Sequence, residues 1–180
     1  LIGGRELLHG EERYVLWLVG ASPAEIKKYP QIYKRVEQCR QNRLNMKDKG
    51  TQKLADTPAT FRDTNNPDKY IALPMVSSER RRYIPMDYLD GNVIPTNQVQ
   101  TIPEASLYHF GVLNSNVHMC WMRAVCGRLK SDFRYSKDIV YNNFPWPTPT
   151  PEQKRKIEET AQGILNARAT YPDSCLSDLY

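Results

Sequence analysis

One stretch of this 180-residue chain has to be buried. Pro103 to Leu113 and Val117 to Val125 are apolar almost all round, broken by Asn114-Ser115-Asn116 and stopped by Gly127. A helix with apolar side chains on every face cannot lie at a surface, so the pattern predicts a buried helical hairpin. The rest of the chain must be arranged around it. The length suits one domain with a real core, or one domain plus a helical appendage. Hydrophobic residues at 40% and charged residues at 25% are globular values, which leaves a disordered reading little support.

Flanking patterns supply the other layers. Arg5 to Leu18 alternates around His9-Gly10-Glu11-Glu12 and ends in Tyr14-Val15-Leu16-Trp17-Leu18, which predicts a hairpin or a strand joining a sheet. Ser22-Pro23-Ala24-Glu25 has the cap, the proline and the acid of a capping box. Pro30 opens a second helix that ends before Gly50, with Ile32, Val36 and Cys39 as its apolar stripe. Thr51 to Lys69 has no clear period and is expected to be irregular. Strands are predicted at Tyr70 to Val76, Arg82 to Met86, Val93 to Gln98, Arg128 to Arg134 and Asp138 to Tyr141, with a turn at Asp90-Gly91-Asn92. The proline run Pro145, Pro147, Pro149, Pro151 marks a boundary, after which Thr150-Pro151-Glu152-Gln153 caps a helix with Ile157, Ala161, Ile164 and Leu165 on one face. The expected fold is therefore mixed α/β (α+β): a twisted mixed or antiparallel sheet, the buried helical hairpin, basic N-terminal helices and a C-terminal helix. The domain limits expected are 1–147 and 148–180.

No apolar run approaches a bilayer span and the N-terminus lacks the layout of a secretory signal, so a cytoplasmic protein is expected. Cys39, Cys120, Cys126 and Cys175 show no Cys-x-x-Cys spacing and are expected to be reduced. A start at Leu1 without an initiator Met is expected of a segment taken from a longer chain.

The net charge of +5 is unevenly spread. Lys27 to Lys53 holds nine basic residues against Glu37 and Asp48, a local +7, and Arg123 to Lys137 holds five against Asp132. A single charge run is ordinarily a solvated helix face; two of them flanking a core point towards a polyanionic partner. Motifs for turnover are missing. His9, His109 and His118 have no metal-ligand spacing, and the phosphate loop, the dinucleotide turn and the serine elbow do not occur. Asn142-Asn143-Phe144-Pro145-Trp146 has Phe where an adenine methyltransferase tetrad needs its first proline, so it is rejected as a catalytic tetrad. No catalytic residue and no metal ligand is expected.

What remains suits contact. Arg80-Arg81-Arg82 sets three guanidinium groups between two strands, within reach of phosphates or simply in a solvated loop. In Arg128-Leu129-Lys130-Ser131-Asp132-Phe133-Arg134, alternation in one strand would put Arg128, Lys130, Asp132 and Arg134 on one face and Leu129 and Phe133 on the other. Lys and Arg suit guanine O6 and N7 and Asp accepts from cytosine N4, although an ordinary mixed-charge strand has the same pattern.

Four segments carry a resemblance: Ser77-Ser78-Glu79-Arg80-Arg81-Arg82-Tyr83-Ile84-Pro85, Leu107-Tyr108-His109-Phe110-Gly111-Val112-Leu113-Asn114-Ser115, Gly127 to Ser136, and Tyr141-Asn142-Asn143-Phe144-Pro145-Trp146-Pro147. In this order they resemble the target-recognition region of the MmeI family, from about Arg13 through the last helix. Phe110 to Ser115 and the lead into Glu152-Gln153-Lys154 are also similar to specificity subunits of Type I systems. The first resemblance implies that residues 1–147 recognise double-stranded DNA and that 148–180 begin a C-terminal helical region. It also implies a parent chain joining a nuclease to an S-adenosylmethionine-dependent adenine-N6 methyltransferase, both outside this segment.

Base-reading roles are implied for Lys130, Asp132 and Arg134, and for Asn97 and Gln98 facing them. Phosphate contacts are expected from Arg80, Arg81, Arg82, Arg128, Lys34, Arg35, Arg40 and Arg43. No cofactor is expected in this segment; S-adenosylmethionine, and Mg²⁺ for cleavage, belong to the absent parts. The expected partners are double-stranded DNA and the methyltransferase domain of the same bacterial polypeptide. A Type I-like specificity domain and a protein-docking module remain as alternatives.

Overall fold

The structure, a computed structural model, describes residues 1–64 and 66–180. Its contacts divide the chain into two compact units, residues 1–14 with 66–180, and residues 15–65. The larger unit is built around β1 (Lys69–Pro74), which pairs antiparallel with β3 (Asp87–Asp90) on one side and β4 (Val99–Pro103) on the other. Five of the six β1 residues are buried, because both faces of the strand are covered. Ile71 and Leu73 join the main core with Phe110, Leu113, Met119 and Met122, whereas Tyr70 and Ala72 pack with Leu7, Val99 and Leu176. Alternation along the strand sends neighbouring side chains into separate cores.

The predicted helical hairpin is present as α5 (Leu107–Leu113) and α6 (Asn116–Val125), with Ser115 Oγ accepting from His118 N–H at the start of α6. Its first helix begins at Leu107, because Pro103 still belongs to β4, and α6 is buried on one face only, with Val117 70% exposed and Cys120 exposed. Phe110, Leu113 and Met122 are fully enclosed, each contributing about 1.5–3 kcal/mol. α7 (Pro151–Ala169) starts at the capping box of Thr150 and Gln153 and crosses α5 so closely that a Cβ on Gly111 would lie 2.8 Å from Ile157 Cγ2. Ala161 of α7 is buried in the main core, and α8 (Leu176–Leu179) contributes Leu176 to the second.

A second antiparallel sheet has the order β2-β6-β5, from β2 (Val76–Ser77), β5 (Gly127–Leu129) and β6 (Asp132–Arg134). Met75 joins the two sheets. Its N–H donates to the Gln98 carbonyl at 2.9 Å, and its carbonyl accepts from Tyr135 N–H at 2.8 Å.

The smaller unit holds α2 (Pro23–Lys27), α3 (Pro30–Leu44), α4 (Lys49–Lys53) and a 3₁₀ turn at Leu54–Asp56. The Ser22 capping box and the proline start of α3 are as the sequence predicts. Trp17 stacks on Phe61 at 5.5 Å between centroids, and only Ile26 and Ala55 are buried apolar residues among those described in this unit.

Several predicted strands are corrected. Arg5 to Leu18 forms no hairpin: α1 (Gly4–His9) occupies its start and Gly10, at φ 66°, ends the helix in the left-handed conformation. Arg82 to Met86 is irregular even though Ile84 and Met86 are buried, and Pro85 has no N–H to donate to a ladder. Val93 to Gln98 precedes β4 and makes only an isolated bridge, Ile2 with Pro95. Lys137–Tyr141 is a π-helical turn that buries Val140. The connection from Thr51 contains α4 and the 3₁₀ turn and is only partly irregular; its Asn65 lies outside the described residues.

Candidate nucleic-acid interface

Arg128 to Arg134 is not one strand. It is a tight hairpin with Lys130 and Ser131 at the turn, pairing Gly127 with Arg134, Arg128 with Phe133 and Leu129 with Asp132. Lys130 has φ 56°, a left-handed position that glycine usually fills at the first place of a two-residue turn. Residues directly opposite in an antiparallel pair share a face, so the facing order inferred from a single strand is overturned. Arg128 lies with Phe133, its guanidinium carbon 4.1 Å from the ring centroid, and Nη1 donates to the Ser131 carbonyl at 2.8 Å. Leu129 lies instead with Asp132 and is 54% exposed.

The junction at Met75 makes a cleft. Gly4, Pro74, Met75, Val76, Asn97, Gln98, Leu129 and Arg134 line an open space of about 450 Å³. Three of the five predicted base-reading residues, Asn97, Gln98 and Arg134, therefore share one wall system, although they come from a loop and a strand far apart in sequence. Gln98 closely approaches Gly3, where a Cβ would stand 3.0 Å from its Oε1. Lys130 is exposed at the hairpin tip. Asp132 is half-buried and accepts from Glu79 N–H at 3.3 Å, tying the hairpin to the start of the arginine loop.

The sequence over residues 1–148 matches the family model described as MmeI, target recognition domain. The chain belongs to the MmeI target recognition domain family. It is 43% identical over 180 residues to DNA methyltransferase A of Bacillus subtilis (strain 168), covering 99% of this chain and 20% of that protein. It is similar to a solved structure, that of the Type IIL restriction-modification enzyme MmeI in complex with DNA, with a TM-score of 0.96 and 43% identity over 99% of this chain and 24% of that one. The chain thus spans about a quarter or less of the length of these relatives.

In this MmeI-family recognition domain the predicted phosphate contacts fall into two groups. Arg80 and Arg82 are exposed on the loop after β2, and Lys34 and Arg35 are exposed on α3. The others already have internal partners. Arg81 is half-buried and donates to Ser177 Oγ at 3.0 Å. Arg43 donates to the carbonyls of Leu54, Thr57 and Thr60 at 2.7 to 2.8 Å and so staples the end of its unit. Arg40 lies 3.8 Å from Glu37.

Met75 and Leu129 in the cleft, and Arg123 behind the arginine loop, were not among the residues predicted from sequence. Arg123 donates to the Arg82 carbonyl at 2.6 Å and lies 5.9 Å from the Phe133 centroid, so it supports the arginine loop from behind. Their only sequence signal was membership of a charged or apolar run. In the Asn-Asn-Phe-Pro-Trp stretch, Phe144 is buried with its ring 4.7 Å from that of His118 and 5.2 Å from Trp146, while Asn142 and Asn143 are exposed. No group of three His, Cys, Asp or Glu side chains able to hold a metal occurs among the described residues. The four cysteines are free thiols.

Proposed function

We propose that this recognition domain selects a double-stranded DNA site on behalf of a longer bacterial protein, an adenine-N6 DNA methyltransferase with restriction endonuclease activity. The observation that carries the reading is the cleft at Met75, where Asn97, Gln98 and Arg134 are gathered at the seam of two sheets. Amides, a guanidinium and an adjacent exposed Lys130 supply the donors and acceptors that distinguish base edges in the major groove. Asp132 uses one carboxylate oxygen on Glu79 and keeps the other for a cytosine amino group. Arg80, Arg82, Lys34 and Arg35 hold phosphates; Arg81, Arg128, Arg40 and Arg43 contribute less, because part of their donor set is spent within the protein.

Residues 1–147 form the recognition domain in this reading, and 148–180 begin the helical region that follows it. Catalysis belongs to the methyltransferase domain of the same polypeptide, which is the protein partner of this domain. S-adenosylmethionine, and Mg²⁺ for cleavage, bind there and not here. The reading places the protein in the cytoplasm with its DNA; no helix among the described residues is long and apolar enough to cross a membrane.

Long-read mapping of methylated adenines in cells expressing the full-length protein tests the reading. The double substitution Lys130→Glu with Asp132→Arg is expected to change the preferred base at one position of the site and leave the others intact. An identical motif from both versions would remove base reading from the hairpin. Calorimetry showing stoichiometric S-adenosylmethionine binding to this chain alone would contradict the division of labour.

A further inference from the structure

α3 shows two opposite faces of very different chemistry. With about 100° of rotation per residue, Ile32, Val36, Cys39 and Arg43 fall on one side, where all four are half-buried. On the other side Gln31, Lys34, Gln38, Gln41, Asn42 and the C-cap Asn45 fall within an arc of about 100°, and all are exposed. A solvated helix face is ordinarily built from charged residues that pair along the helix. Here every position but Lys34 is a neutral amide. The one acid near the arc, Glu37, sits at its edge, where it accepts from Gln41 Nε2 at 2.9 Å and lies 3.8 Å from Arg40. Arg35 borders the opposite edge. A shallow trough of about 600 Å³ follows this side, lined by Tyr33, Lys34, Glu37, Gln38, Gln41 and Asn42.

Amides and basic residues in this arrangement match one polyanion better than any neutral partner. A carboxamide presents a donor beside an acceptor, the complement of adenine N6 and N7, and a lysine suits guanine O6 and N7. A helix about 10–12 Å wide with its side chains fits a major groove about 12 Å across. Arg35 at one edge then falls where a phosphate backbone runs, and the local charge of +7 from Lys27 to Lys53 has the matching sign.

We propose that α3 is a second reading element, lying in the major groove of duplex DNA with Lys34, Gln38, Gln41 and Asn42 towards base edges and Arg35 towards a phosphate. The proposal rests on the DNA-recognition function above and extends base reading to the smaller unit.

The test compares the full-length protein with its Gln38→Ala/Asn42→Ala variant, using the methylated site mapped for the wild type and an unrelated duplex of equal length. Alanine is the better helix former and no charge is altered, so α3 and its electrostatics are retained. Affinity for the mapped site should fall roughly ten- to a hundredfold, while affinity for the unrelated duplex and its salt dependence stay as they were. The methylation motif should loosen at one or more positions. Arg35→Gln, in contrast, should weaken both duplexes alike and lower the log-log salt slope by about one. Equal losses on both duplexes from the amide variant, or no loss with an unchanged motif, overturn the reading role of α3. A wild-type protein that prefers no duplex overturns the proposed function and, with it, this extension.

Discussion

The His118 ring is packed among Tyr135 and Phe144 with 1% of its surface exposed, and burial pushes its pKa down to about 4. Nε2 lies 3.1 Å from the Tyr135 hydroxyl and Nδ1 has no partner among the described residues, so a second ring N–H would go unbonded. The unfolded chain takes up that proton near pH 6.5 and the folded chain only near 4, which favours folding above pH 6.5 and removes the advantage as the pH falls towards 4. At about 1.4 kcal/mol per pKa unit the loss approaches roughly 3 kcal/mol. Urea unfolding at pH 7.5 and 4.5 should register it, and His118→Gln should flatten the slope; equal slopes would assign the loss to other groups. Lys130 poses a backbone question instead. Its left-handed φ predicts that Lys130→Gly is neutral or stabilising by up to about 1 kcal/mol, whereas Lys130→Val costs about 1–2 kcal/mol. Thermal melts of the two variants check the order, and the reverse order would remove the strain from the turn.

Among the elements, the crossing of α5 and α7 gives propensity and packing opposite signs. Alanine in place of Gly111 would gain up to about 1 kcal/mol of helix propensity. Its Cβ would also stand 2.8 Å from Ile157 Cγ2 and 3.1 Å from both Ala161 Cβ and the Ile157 carbonyl. A backbone carbonyl cannot swing away, so the helices must separate. Gly111→Ala is expected to destabilise by about 1–3 kcal/mol in denaturant titration, and a stabilised variant would show that the crossing has slack. The hairpin β5-β6 illustrates a different limit of pattern reading. Gly127 to Arg134 fits one alternating strand and also two short strands with a turn, and the two readings assign Arg128 and Leu129 to opposite faces. The antiparallel pairing of Arg128 with Phe133 and Leu129 with Asp132 decides between them, and the stacking of Arg128 on the buried Phe133 ring accompanies it.

For the whole molecule, apolar burial is distributed very unequally. Residues 66–180 hold nearly all the enclosed side chains, while Ile26 and Ala55 are the buried apolar residues described between 15 and 65. The smaller unit relies on caps and on Arg43 bonded to three carbonyls. Native-state hydrogen exchange is expected to give α3 a lower opening free energy than β1 or α6. Equal protection across the chain would refute this ordering.

The sequence by itself determined the elements whose signals are local. The helices α5 and α6 with their buried faces, the Ser22 and Thr150 caps and the proline starts all follow from which side chains must leave water and which satisfy free N–H groups at helix ends. The ordered motifs also sufficed to mark the family. Tertiary structure decided everything that depended on a distant partner. Ile84 and Met86 look like strand residues but are buried in an irregular segment, because no neighbouring strand completes their hydrogen bonds. Arg43 and Arg80 are equally basic in sequence, yet one is held by carbonyls more than ten residues away and the other is exposed. Asn97, Gln98, Leu129 and Arg134 meet because Met75 hydrogen-bonds to two segments at once, a coincidence of long-range contacts that no local period encodes.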